Sequence, residues 1–402
     1  MKTYKITVIG DIMGELPVLR QGKKADGSYD FTPAMAELKT YFDEADYCIG
    51  NLETPVAGEA AGYTPNIYSF NTPDEMAKDL KALGIDAVTT ANNHMFDRGM
   101  DGLKRTCRIL DEAGLAHTGT YTEVPEDRNL YFTVGDTRIA LLSYTYSCNY
   151  FSNKHYSAEG LPELGNFLRP YDMDPPRLRE AQVVYDTRAF VEELLGRKLG
   201  FEEMARLRRA VGQPVDYADD AFDTGLVADC MAQIRADYEK ARAKADLVFI
   251  CPHSGGQFNT RPGKYSAWLY SRCAEMGFDA VLAAHSHTTQ RAEKQGKTVI
   301  FNSLGNVTMS PHTDYSVKES LPEYGAAAHL YVAGGKLLRT GFSLFKMVEP
   351  EGGRLRAIPV DKLAKELPEG LERSRLMVET AEVFERISGR PFEGLAREWE
   401  LF

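Results

Sequence analysis

The sequence predicts an α/β fold whose sheet strands run in mixed directions, and three observations carry that prediction. A helix, a short buried strand and a polar cluster follow one another three times, ending at Asn92-Asn93-His94, at Cys251-Pro252-His253 and at His285-Ser286-His287. Strand pairs flanking Gly135-Asp136 and Gly334-Gly335 read as hairpins, which require antiparallel neighbours. The strands end in Asp, Glu, Asn and His, and open α/β sheets place their sites at the carboxyl ends of strands.

In chain order, Tyr4, Ile6 and Val8 alternate with polar residues as a strand does, and residues 4–9 end in Gly10-Asp11. Tyr47-Cys48-Ile49 form a second strand ending in Gly50-Asn51-Leu52-Glu53. Asp74 to Leu83 has helical spacing through Met76, Leu80 and Leu83, stops at Gly84, and yields a strand from Ile85 to Thr90. A helix follows from Gly99 to Glu112. Leu130 to Val134 and Thr137 to Tyr144 form the first hairpin. Thr224 to Lys244 is helical and precedes the strand 245–251, and Gly277 caps the helix before the strand 278–284. The second hairpin joins residues 329–332 to 337–345. A helix followed by glycine and a strand is a common connector, which explains the resemblance between these units but not their polar ends.

The 402 residues, 43% hydrophobic and 26% charged, belong to a globular chain, and the length fits one large domain with an insertion as well as two or three smaller ones. Residues 150–223 break the α/β rhythm with Pro162, Pro170 and Pro175-Pro176 and with a charged helical stretch from Glu180 to Arg209; they read as an insertion covering the site edge. The division is therefore 1–149 with 224–345 as one domain, 150–223 as inserted helical subdomain, and 346–402 as a charged tail, helical from Leu371 to Ile387.

A net charge of −11 argues against a nucleic-acid or anionic-membrane binder, both of which need a concentrated positive surface. The six cysteines, at 48, 107, 148, 230, 251 and 273, form no C-x-x-C pair, so zinc-ribbon and redox readings fall away. No run approaches a membrane span and the N-terminus lacks the apolar stretch of a signal peptide, so the expected location is cytoplasmic.

Collected from the strand ends, the polar residues are Asp11, Asn51, Glu53, Asn93, His94, Asp97, His253, His285 and His287. Oxygen and imidazole donors together suit divalent Mn, Fe or Zn. His285 and His287, two apart in a segment read as extended, would point the same way. Other readings stand beside this one. Asp11 and Glu53 are also acceptable as helix caps or loop anchors, Asp97 as the cap of the helix after Gly99, and Asn306 as the closure of a turn. Tyr144, Tyr146, Tyr150, Phe151 and Tyr156 read as packing, and His117, His155, His312 and His329 receive no role.

Six blocks, in order, match one family: Gly10-Asp11; Gly50-Asn51-Leu52-Glu53; Asn92-Asn93-His94 with Asp97 and Gly99; His253 with Gly255; His285 with His287; and Ser303-Leu304-Gly305-Asn306. The chain thereby resembles the CapA-like, poly-γ-glutamate capsule synthesis proteins, whose domain looks like a branch of the calcineurin-like metallophosphoesterase superfamily. The resemblance spans residues 1 to about 345 outside the insertion.

It implies a four-layer sandwich, two mixed sheets flanked by helices, with two divalent ions at the strand ends. Asp11 and His287 would hold one ion, Asn93, His253 and His285 the other, and Glu53 would bridge them. A metal-activated hydroxide would attack a phosphoester, with His94 as acid and Asp97 orienting it. Asn51 and Asn306 would support the ligands or touch substrate. Met13 stands where the superfamily commonly has a His, and Asn51 where it has an Asp, which leaves one ion or two open. The implied substrate is an anionic small molecule or polymer. The alternative is a non-hydrolytic component of poly-γ-glutamate synthesis that binds polymer or a ligase partner. Neither reading specifies an oligomeric state.

Overall fold

The alternation that begins at Tyr4 continues to Met13, so the first strand already carries Asp11 within it. The computed structural model describes residues 2–402 apart from 67, 174–186, 198, 213, 217, 218, 221, 314 and 352. The strands among the described residues are β1 (Tyr4–Met13), β2 (Tyr47–Glu53), β3 (Ala87–Thr89), β4 (Ala116–Thr118), β5 (Leu130–Val134), β6 (Thr137–Thr145), β7 (Leu247–His253), β8 (Ala280–Leu282), β9 (Ala292–Gln295), β10 (Thr298–Phe301), β11 (Tyr324–Ala333), β12 (Lys336–Val348), β13 (Arg356–Pro359) and β14 (Trp399–Glu400).

They form two mixed sheets. The larger has the order β13-β12-β11-β1-β2-β3-β4, with β14 added on β12, and the smaller the order β5-β6-β7-β8-β10-β9. In the larger, β1 to β4 are mutually parallel and β11 to β13 antiparallel. In the smaller, β6, β7, β8 and β10 are parallel, with antiparallel β5 and β9 at the two edges. Both expected hairpins are present, β5–β6 and β11–β12.

The apolar runs are buried on both faces, which is why they read as continuous rather than alternating. Leu247, Phe249 and Cys251 of β7 join Ile6, Val8, Ile49, Leu141 and Leu330 in a core shared by the two sheets. Val248 and Ile250 face the other way, onto Ile234, Leu269, Tyr270 and Cys273 of the helices Ala228–Lys244 and Lys264–Met276. On the far side of the larger sheet, Ile9, Cys48 and Val88 pack on Met76, Leu80 and Leu110 of the helices Glu75–Leu83 and Gly99–Ala113. Gly84 and Gly277 end their helices at φ of 105° and 100°, a conformation a side chain would strain.

The chain after residue 345 is not only helical. The helix Leu371–Ser388 is present, but β13 and β14 extend the large sheet on either side of it. Phe384 and Trp399 bury against Phe342 of β12, so apolar side chains tie this segment into the shared core. In the 150–223 segment the described residues include the short helix Leu161–Leu164 and the helices Thr187–Leu195 and Phe201–Ala210. Pro175-Pro176 and the start of the charged stretch, residues 180–186, lie outside the described residues.

Gly10 is the tightest backbone approach near the strand ends. A Cβ there would lie 1.9 Å from the Gly305 carbonyl oxygen, the same oxygen that accepts the Asp11 N–H at 2.9 Å. Gly10→Ala is therefore expected to destabilise the protein by about 2 kcal/mol or more, read by denaturant unfolding, because backbone rather than a pliant side chain must yield.

Candidate metal centre

Parallel registry between β1 and β2 places Asp11 beside Asn51 and Met13 beside Glu53, after an irregularity between Val8 and Asp11. Such a bulge re-aims the side chains that follow it. Thr145 of β6 pairs with His253, the last residue of β7, and His253 bridges to Ala284, one residue ahead of His285. Strand ends from both sheets thus converge on one point. Asp11 and Glu53 sit inside strands and cap no helix, which removes the helix-cap alternative for both, while Asp11 does anchor a loop through the His285 N–H.

The His285-Ser286-His287 segment is not extended. His285 has φ of 100° and His287 φ of 53°, both in the left-handed region that costs a side chain energy. The expectation of period-two alignment is corrected: a strained turn, held by the His285 N–H donating to Asp11 Oδ2 at 3.0 Å, brings both imidazoles inward.

Two groups of ligand atoms result, Glu53 with His253 and His285, and Asp11 with Glu53 and His287; within each, the atoms all lie within 4.8 Å of one another. Glu53 belongs to both. Glu53 Oε1 is 3.4 Å from His253 Nε2 and 3.8 Å from His287 Nε2. His253 Nε2 is also 2.7 Å from Asn93 Oδ1 and 3.0 Å from His285 Nδ1, which brings Asn93 into the first group. His287 Nδ1 is 2.9 Å from Asn306 Oδ1 and 3.6 Å from Asp11 Oδ2. Asn306 Nδ2 is occupied in donating to the His287 and Pro322 carbonyls, so Oδ1 accepts from His287 Nδ1 and leaves Nε2 with its lone pair toward Glu53. Asn306 therefore does more than close a turn.

Asn51 braces the same centre. Its Nδ2 donates to Asp11 Oδ1 at 2.7 Å and lies 3.2 Å from His253 Nδ1, while Oδ1 accepts from Thr89 Oγ1 at 3.0 Å. Asn51 thus steadies Asp11 and lies beside His253. Met13 packs into the helix-side core with Ile12, Val307 and Met309, away from the polar cluster, and supplies no donor.

The electrostatics of this cluster fit a cation. Glu53 is fully buried, and neither carboxylate oxygen has a hydrogen-bond partner among the described residues. Burial, with the Glu15 and Asp97 charges adding to it, pushes the Glu53 carboxyl up to about 8; burial and then Glu53 push Asp11 up to about 7. Burial drives His253 down to about 4 and His287 to about 3, and together with the neighbouring imidazoles drives His285 well below its ordinary value. Neutral imidazoles around an orphaned acid are costly on their own and become donors once a divalent charge is present.

His94 stands apart from the ligand groups. Its ring stacks on Phe70 at 4.0 Å and its Nδ1 is 2.6 Å from Asp97 Oδ2. Burial lowers its pKa, but the Asp97 charge and hydrogen bond, with Glu53 and Asp11 beyond, outweigh that and raise it overall. Asp97 also accepts from the Phe70 N–H and from Asn153 Nδ2. The helix Gly99–Ala113 has Arg98 at its N-cap with no side-chain capping bond, so Asp97 does not cap it.

Two residues near the centre escape sequence reasoning. Tyr146, assigned to packing, places its hydroxyl 2.8 Å from His285 Nε2; it directly follows β6, a position the strand-end rule covers. Glu15, two residues after β1, is buried and accepts from Tyr315, Thr313 and the Ser310 N–H, and burial still pushes its carboxyl up to about 7. Glu15 and Phe70 also line a cleft of about 500 Å³ with Arg20, His312 and Tyr315, on the His94 side of the centre.

Fold and site together define a mixed α/β protein whose strand ends gather two potential metal-binding groups around one shared glutamate. The chain belongs to the family of bacterial capsule synthesis proteins PGA_cap, whose sequence model matches residues 5–310. It is 28% identical over 295 residues to an uncharacterized Sinorhizobium fredii protein, y4sH, covering 68% of this chain and 61% of that protein. It is 23% identical over 324 residues to the capsule biosynthesis protein CapA of Bacillus anthracis (79% and 63%), and 22% identical over 322 residues to the PGA biosynthesis protein CapA of Bacillus subtilis (76% and 64%). The chain thus spans less than two thirds of the length of these relatives. Among the described residues no helix is long and apolar enough to cross a membrane.

Proposed function

We propose that this chain is a metal-dependent phosphoesterase of the capsule synthesis family, built on a metallophosphoesterase-type four-layer sandwich formed by residues 1–149 and 224–345, with the strands of 346–402 added to its larger sheet and 150–223 inserted. The carrying observation is Glu53: a fully buried carboxylate, unpartnered at both oxygens among the described residues, at the vertex of two ligand groups. The facing sheets with helices on both outer faces support the architecture. Asn93, Glu53, His253 and His285 would hold one divalent ion, and Asp11, Glu53 and His287 a second. Bound there, Mn, Fe or Zn would supply Lewis acidity toward a phosphoryl oxygen and a water acidic enough to react near neutral pH. Two divalent charges also offset the acidity of the chain for an anionic substrate.

The protein's own residues divide the remaining work. Asn51 fixes Asp11, Asn306 fixes the tautomer of His287, and Tyr146 orients His285. Asp97 holds Nδ1 of His94 and favours the imidazolium, so that Nε2–H can pass a proton to the departing oxygen. The cleft lined by Phe70 and Glu15 is separated from His94 by the Phe70 ring stacked on it, and suits the departing portion of the substrate.

Elemental analysis is expected to find two divalent ions per chain, and bis-p-nitrophenyl phosphate to be hydrolysed. His285→Ala should lose ions and activity together. His94→Ala should keep the ions and slow hydrolysis of an alkyl phosphoester by about a hundredfold to ten-thousandfold, but slow the p-nitrophenyl ester less, since that leaving group needs little protonation. Equal losses on both esters would remove His94 as the acid. Protein that takes up no Mn, Fe or Zn and hydrolyses neither ester would end the proposal.

The family itself favours a second reading, since two of the matched relatives are named as capsule or PGA biosynthesis proteins. In it, the same centre binds poly-γ-glutamate or a ligase partner without hydrolysis. Recovery of polymer or ligase by protein that binds metal but hydrolyses no phosphoester would favour that reading.

A further inference from the structure

A second orphaned buried group lies one layer out from the metal centre, and it is a cation. Arg169 is 7% exposed, and its Nη1 is buried without a hydrogen-bond partner among the described residues. Nε donates to the Tyr146 carbonyl at 2.8 Å, and the guanidinium lies 4.5 Å over the Tyr146 ring and 5.9 Å from the Tyr265 ring. Stacking between two tyrosines compensates part of the lost hydration but gives Nη1 no acceptor. A buried charge with an unused donor is costly unless an anion completes it.

The local chain explains how this residue reaches the centre. The Thr145 N–H donates to the Asn166 carbonyl at 2.9 Å and the Leu168 N–H to the Thr145 carbonyl at 2.8 Å, so residues 166–168 run beside the carboxyl end of β6. Thr145 pairs with His253, and the hydroxyl of the next residue, Tyr146, meets His285 Nε2 at 2.8 Å. Arg169, Tyr146 and His285 therefore stack in sequence toward the ligand cluster, with the Tyr146 and His285 rings 4.6 Å apart.

We infer that Arg169 is an anion-binding residue of the site, presenting its guanidinium to an oxyanion of the substrate beside His285. The inference rests on the reading of the centre given above and specifies its substrate as one carrying paired anionic oxygens, phosphoryl or carboxylate. The planar fork, rather than charge alone, suits that recognition.

The test compares wild type, Arg169→Lys and Arg169→Met in metal-free and Mn-loaded form, measuring thermal shift and calorimetric binding with inorganic phosphate and, separately, with glutarate. Phosphate or glutarate is expected to raise the wild-type Tm. Arg169→Met should weaken that binding about tenfold or more, with Mn content unchanged and the anion-free Tm unchanged or higher, and Arg169→Lys should recover only part. In hydrolysis assays KM should rise more than kcat falls. The anion whose binding depends more on Arg169 identifies the phosphoryl or the carboxylate source. Binding of both anions by Arg169→Met within about twofold of wild type, or loss of Mn or of the fold on that substitution, would overturn the inference. A wild type that takes up no Mn yet loses its anion-induced Tm shift in Arg169→Met would uphold it while ending the metal-dependent reading.

Discussion

Glu53→Gln is expected to reduce the bound metal from two ions to one or none and to slow hydrolysis by about a thousandfold or more, the equivalent of several kcal/mol of lost transition-state stabilisation. The amide keeps the shape of the side chain but carries no charge, and it offers one oxygen where the carboxylate offers two. Since both carboxylate oxygens lack hydrogen-bond partners among the described residues, the exchange removes no hydrogen bond seen there. Folding stability of the metal-free variant at pH 8 is therefore expected to equal or exceed that of metal-free wild type. Loss of function with no loss of stability marks a residue kept for its site rather than for the fold. Metal content by elemental analysis and unfolding in urea check the two halves. A variant that is strongly destabilised while retaining both ions would show instead that Glu53 is a structural anchor. The group of Asn93, Glu53, His253 and His285 offers four donors and that of Asp11, Glu53 and His287 three, so chelation of the wild type is expected to empty the second group first.

Metal-free protein is expected to lose on the order of several kcal/mol of stability between pH 6.5 and 8, and metal-loaded protein to lose less. The sign follows from which state binds more protons. Glu53, Asp11 and Glu15 have folded values raised to about 8, 7 and 7, while their unfolded values lie near 4, so the folded state holds the extra protons. Their contribution is fully present below the unfolded value and is lost as pH rises through the folded one. His94, also raised, acts in the same direction. His253, His285 and His287 are depressed and act oppositely, but only below about pH 6.5, where the unfolded chain would protonate them. Between pH 4 and 6.5 the two sets therefore offset each other, and above 6.5 the carboxyls, together with His94 and with Asp219, which burial likewise raises to about 7, act unopposed. A divalent ion supplies the positive charge that lets Asp11 and Glu53 ionise without penalty. Thermal unfolding across pH 5–8.5, with and without Mn, reads this directly. A flat profile for the metal-free protein would mean that these carboxyls are already compensated.

Much of the architecture was legible because its signals are local. Continuous apolar runs such as 247–251, glycine at helix ends and turn residues between strands depend on a few neighbouring side chains, and the expected βα units and both hairpins are present. Strand lengths were less legible, since β1 and β2 are extended by pairing with each other through residues that look like loop. The strands within 346–402 were missed for the same reason. Arg356–Pro359 and Trp399–Glu400 are strands only because β12 offers them an edge.

The candidate site divides along the same line. By itself the sequence determined the inventory: Asp11, Glu53, Asn93, His94, His253, His285 and His287 at the ends of apolar strands, in an order matched by one family. Tertiary structure decided which of them meet. It joined Asp11 to Asn51 by parallel registry, turned His285 and His287 inward through left-handed backbone, and sent Met13 into the core. It separated Asp97 from the helix after Gly99 and gave it to His94. It also brought in Tyr146, Glu15 and Arg169, none of which carries a motif. Residue type and spacing act over a few positions of chain, whereas a metal centre is assembled across hundreds of residues. The decisive quantities there, desolvation and the absence of a partner for a buried charge, exist only after both sheets have closed on each other.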